Sequence, residues 1–71
     1  MPGGILSEEI VCGTWFYYYA STRFCLSWTG DGWLLIDESV AAEPLLKMKK
    51  VVTADEAVTK SKNFILENYS V

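Results

Sequence analysis

The chain contains no histidine. That removes the commonest general base at neutral pH, the usual partner of a serine or cysteine nucleophile, and the commonest metal ligand. Cysteine is scarce: Cys12 and Cys25 are the two copies in 71 residues, too few for a disulfide framework and at a spacing that fits no zinc motif. Two reduced thiols in a cytoplasmic compartment are expected. No apolar run approaches the ~18 residues that a membrane helix needs. The opening Met1-Pro2-Gly3-Gly4-Ile5-Leu6-Ser7 lacks both the basic start and the apolar stretch of a signal peptide. Gly30-Asp31-Gly32 lacks the lysine of a phosphate loop and the further carboxylates of a calcium loop. The sequence therefore implies no cofactor, no metal and no catalytic residue, and no enzymatic activity is expected.

Apolar side chains are plentiful. They make up 51% of the chain, with 14% aromatic, which places it among folded domains rather than disordered ones. A chain this short buries only about 60% of the surface its unfolded form exposes, so a rich core or a second molecule is the expected source of stability. The net charge of −3 is unevenly spread: residues 1–43 carry six acids against Arg23, and residues 44–71 carry five lysines against three acids. The acidic half disfavours a polyanionic partner unless the lysines meet on one face.

Pro2, Gly3 and Gly4 discourage regular structure, so residues 1–9 are read as a flexible arm and residues 10–71 as one domain. Thr14 to Ala20 is an aromatic run of high strand propensity, Arg23 to Thr29 alternates cleanly, and Trp33 to Asp37 is a third strand. Gly30-Asp31 marks one two-residue hairpin loop and Ser21-Thr22 is taken as the other. Counting from those loops pairs Trp28 with Trp33, Leu26 with Leu35, Tyr19 with Phe24, and Trp15 with Trp28. One face then carries Trp15, Tyr17, Tyr19, Phe24, Leu26, Trp28, Trp33 and Leu35. The other carries Phe16, Tyr18, Cys25, Ser27, Leu34 and Ile36.

Glu38 to Pro44 is a connection that could hold one helical turn at residues 39–42. Leu45 to Val52 reads as a strand in preference to a short helix, with Leu46, Met48 and Val52 on one side and Lys47 and Lys49 on the other. Thr53-Ala54-Asp55-Glu56 is a capping box, and an apolar stripe through Ala57, Val58, Ser61, Phe64, Ile65 and Tyr69 predicts a helix over about 54–68. The expected fold is α+β: an antiparallel sheet of three to four strands in the order β-β-β-β-α, with one C-terminal helix on one face.

One helix covers one face of a sheet. The set Phe16, Tyr18, Leu34 and Ile36 is left over, and a contiguous apolar patch of that kind marks a protein contact. The leading expectation is a small non-catalytic interaction module, such as an adaptor, a regulatory subunit or a stoichiometric inhibitor, binding another protein or a second copy of itself as a homodimer through those four residues. No membrane or small-molecule partner is implied. One alternative is a nucleic-acid-binding domain that stacks bases on the sheet aromatics and uses the lysines of residues 47–62. A further alternative is a small enzyme with Cys12 or Cys25 as nucleophile, which would need a cationic neighbour to form a thiolate. Asp37-Glu38 is an adjacent acidic pair whose side chains point to opposite faces, so it is read as a solvated strand exit rather than an acid–base pair.

Overall fold

A computed structural model describes residues 5–40 and 43–69. Five strands, β1 (Ser7–Val11), β2 (Thr14–Tyr19), β3 (Thr22–Trp28), β4 (Gly32–Asp37) and β5 (Leu46–Lys49), precede one helix, α1 (Ala54–Asn68). The sheet is an antiparallel meander in chain order, β1-β2-β3-β4-β5. The fold is α+β with five strands, where the sequence suggested three or four.

The extra strand is β1. Residues 7–9, read from the sequence as part of an arm, pair with β2, and Cys12 (φ 50°) and Gly13 (φ 77°) form the two-residue turn between them. Two central residues at positive φ are the signature of a type I′ hairpin, whose twist matches that of the strands. β1 is an edge strand with every residue exposed, so it shows none of the apolar alternation by which strands are recognised. Residues 1–4 of the proposed arm lie outside the described residues.

The β3–β4 hairpin has the expected register, Trp28 opposite Trp33 and Leu26 opposite Leu35. Gly30 supplies the positive φ (91°) in its turn. Gly32 is held at φ 146°, and a Cβ there would collide with the carbonyl oxygen of Met48, so the glycine allows β5 to close on β4. The β2–β3 hairpin differs from expectation. Its loop is Ala20-Ser21, with both residues at positive φ (51° and 62°), and it pairs Tyr17 with Phe24 and Trp15 with Leu26. Cys25 therefore stands opposite Phe16.

The inner face of the sheet carries Tyr17, Tyr19, Phe24, Leu26, Trp33, Leu35 and Met48, all buried. Residue 53 caps the helix as expected: Thr53 Oγ1 accepts from the Glu56 N–H at 3.2 Å, and Asp55 and Glu56 occupy the first turn, where the helix dipole favours negative charge. Ala57, Ser61 and Ile65 are the buried helix residues. All three are fully buried against the sheet. Trp33 is stacked edge-on by Trp15 (5.5 Å) and Trp28 (5.2 Å) and donates from Nε1 to the Val52 carbonyl at 3.0 Å. Trp28, assigned to the core from sequence, is 46% exposed at the margin of this cluster.

At the opposite end of the helix the acidic pair separates as the pleat requires. Glu38 is exposed, but Asp37 is 3% exposed and fully engaged, so the solvated reading fails for it. Its Oδ1 accepts from the Ser39 N–H (2.9 Å) and Oγ (2.6 Å), and its Oδ2 accepts from Tyr69 Oη (2.8 Å). Burial pushes this carboxyl up, but the hydrogen bonds from Ser39 and Tyr69 outweigh burial and hold it below its ordinary value. The Tyr69 ring also packs edge-on against Phe24 at 4.7 Å. Asp37 thus pins the end of α1 to β4. The Val40 N–H donates to the Asp37 carbonyl in a turn; residues 41 and 42 of the suggested helical turn lie outside the described residues.

Candidate interaction surface

The pleat sends alternate side chains of each strand away from the helix. On this outer face Phe16, Cys25 and Ile36 stand side by side across β2, β3 and β4. Ser27, Leu34 and Lys47 form the next row toward the Gly30 turn. Ser7, Tyr18 and Arg23 form the row on the other side. The four residues singled out from sequence therefore share one surface: Tyr18 follows Phe16 along β2, and Leu34 precedes Ile36 along β4. Tyr18 is exposed, and the other three are half-buried in the pleat. The helix α1 packs with the buried cluster of the inner face.

The face is not bare at its Tyr18 end. The Arg23 guanidinium lies 4.6 Å from the centre of the Phe16 ring and 6.0 Å from that of Tyr18, and its Nε reaches Glu38 at 2.7 Å. Tyr18 Oη donates to Glu9 Oε1 at 3.1 Å. Burial, the Glu9 hydrogen bond and the surrounding carboxylates push the Tyr18 phenol up, with Arg23 opposing. Sequence reasoning placed Phe16 and Tyr18 here but overlooked Arg23, although strand parity with Cys25 puts it on the same face. The guanidinium lies over Phe16, and Cys25, Leu34 and Ile36 form a half-buried apolar strip beside it.

Beyond the Arg23–Glu38 pair, charge lies at the margins. Glu9, opposite Phe16, marks the β1 edge. Lys47, opposite Leu34, and Lys49, opposite Gly32, mark the β5 edge. Both cysteines are free: Cys12 is exposed in the β1–β2 turn and Cys25 is half-buried at the centre of the face. Burial and then Glu38 push the Cys25 thiol above its ordinary value, against a smaller opposing effect of Arg23. A raised thiol carries less thiolate at neutral pH, which is the reverse of what a nucleophile requires. Among the described residues, no three of Cys, Asp and Glu converge as a metal site, and no helix is long and apolar enough to cross a membrane.

Comparison with known proteins finds no match to this chain, whether a family model, a curated protein or a solved structure.

Proposed function

We propose that the chain is a small non-catalytic protein-interaction module, acting as an adaptor, regulatory subunit or stoichiometric inhibitor, and that it docks through the outer sheet face at Phe16, Tyr18, Leu34 and Ile36. The observation that carries this reading is the asymmetry of the two faces. The inner face packs against α1, and the helix does not extend to the outer one. That outer face has an apolar centre and a charged margin, the layout of a protein interface. The nucleic-acid alternative draws less support, because Arg23 is already paired with Glu38 and the face bears Glu9 as well. The raised Cys25 thiol weighs against the thiol-enzyme alternative. The reading keeps the chain in the cytoplasm, in line with its two unpaired thiols.

A photo-crosslinking amino acid placed at position 34 tests it, with the same group at position 59, on the exposed side of α1, as the control. Adducts to protein from position 34 and not from 59, lost on adding Ile36→Asp with the far-ultraviolet spectrum unchanged, are expected. Nucleic-acid adducts from position 34, or equal yields from both positions, refute the reading.

A further inference from the structure

Apart from the Arg23–Glu38 pair, charge on the outer face is of opposite sign at the two edge strands. The apolar centre is supplied by β2, β3 and β4, while one edge strand carries Glu9 and the other carries Lys47 and Lys49. A single surface that is acidic along one edge, basic along the opposite edge and apolar between them complements itself under one rotation. A two-fold axis lying parallel to the strands, over β3, places β1 of one copy above β5 of the other. Each Glu9 then lies over the lysine edge of its partner, two residues along from Lys47, while Cys25 faces its own copy across the axis and Leu34 and Ile36 face the partner's β2, where Phe16 stands. A two-fold axis perpendicular to the strands does the reverse, stacking Glu9 on Glu9 and lysine on lysine.

We propose that the occupant of the outer face is a second copy of this chain, packed face to face about the axis parallel to the strands. This deepens the interaction reading above and rests on it. Aligned sheets pack about 10 Å apart with their strands within about 30° of each other, so the pairing needs no distortion of the sheet. Arg23 lies near the axis, but Glu38 offsets its charge within each copy. Five strands at ~4.8 Å spacing and about six residues long present a projected area on the order of 400 Å² per copy. That lies below the standard size of specific interfaces, so weak pairing that appears only at high concentration is expected.

The test is sedimentation equilibrium from about one micromolar to about one millimolar, with charge reversals at the exposed edge residues Glu9 and Lys47. Glu9→Lys and Lys47→Glu should each weaken the dimer by about tenfold, since each creates two repulsive contacts. An equimolar mixture of the two variants should recover the wild-type constant, because each contact between positions 9 and 47 in the mixed dimer again joins one acid to one lysine. The double variant should recover it alone, with the two charges exchanged. Pairing tightened by mixing Glu9→Lys with wild type indicates the perpendicular axis and overturns the proposal. Alkylation supplies a second readout: Cys25 should be protected as concentration rises, with Cys12 as an unprotected internal control. A chain that stays monomeric at the highest concentration, with Cys25 equally reactive throughout, overturns self-pairing and leaves the interaction reading to its crosslinking test. A dimer that survives Ile36→Asp, or Ile36→Thr where the aspartate does not fold, with Cys25 unprotected, overturns both.

Discussion

Tyr69→Phe isolates the contact by which the end of α1 is tied to β4. The substitution removes one hydroxyl and keeps the ring against Phe24, so the packing is preserved and only the hydrogen bond to Asp37 Oδ2 at 2.8 Å is lost. A hydrogen bond to a charged group contributes about 1.5–3 kcal/mol. The Ser39 N–H and Oγ remain on Oδ1, so the carboxylate is not orphaned and the lower part of that range, about 1.5–2 kcal/mol, applies. For a domain of this size the loss corresponds to roughly 10 °C in the midpoint of thermal unfolding.

The loss should also depend on pH, with a definite sign. Because Asp37 is held below its ordinary value in the folded chain, the unfolded state binds more protons over the titration range. Asp37 therefore contributes stability above its unfolded value of about 3.9, and that stability is lost as pH falls through the folded value. Tyr69 is one of the groups that lower the folded value, so Tyr69→Phe should narrow the gap. Urea unfolding followed by tryptophan fluorescence at about pH 7 and about pH 2.5 should then show a larger difference between the two proteins at neutral pH. Once Asp37 is protonated in the folded chain, only a neutral hydrogen bond separates them, about 0.5–1.5 kcal/mol. A difference below about 0.5 kcal/mol at neutral pH, or one equal at both pH values, refutes the clamp.

Thr53→Ala removes the cap accepting the Glu56 N–H and should cost about 0.5–2 kcal/mol in urea unfolding. Gly32→Ala drives a methyl into the Met48 carbonyl from a backbone conformation that L-residues rarely adopt. It should cost roughly 2–4 kcal/mol, with faster amide exchange in β5 as the local sign. Replacing Ala20-Ser21 by Asn-Gly gives the type I′ turn the residues it favours and should raise stability by about 1 kcal/mol, seen as a higher thermal midpoint.

The parts of the fold that were legible in the sequence were those with a period or a chemical stop signal. The helix bounds followed from the Thr53 cap and the spacing of Ala57, Ser61 and Ile65. The β3–β4 register followed from Gly30-Asp31. The β2–β3 loop was misplaced because Ala20 and Ser21 carry none of the glycine or asparagine that announces a positive φ; their conformation is imposed by the strands on either side. β1 was missed because its first pairing residues, Ser7, Glu8 and Glu9, bury neither face. Asp37 was misjudged because its partner Tyr69 is 32 residues away, a distance over which no local pattern speaks.

The assignment of faces survived the error in register, and the reason bears on how far the interaction surface can be read from sequence. Moving a two-residue loop by one position shifts the pairing of the flanking strands by two residues, and a shift of two preserves which side of the sheet each residue occupies. Phe16 thus stands opposite Cys25 where the count from the loop gave Ser27, and both of those residues lie on the outer side. Tyr17 likewise meets Phe24 where the count gave Leu26, and both of those lie in the core. Membership of the outer face depends only on strand parity, so Phe16, Tyr18, Leu34 and Ile36 could be named without the correct partners. The Arg23 contact with Phe16 and the opposition of Glu9 to the lysine edge depend on partners and on strand order. Those are set by β1 and by the β2–β3 turn, the two features that left no local signature. The charge-reversal pair at Glu9 and Lys47 therefore probes a property that arises from the assembled sheet and from no single strand of it.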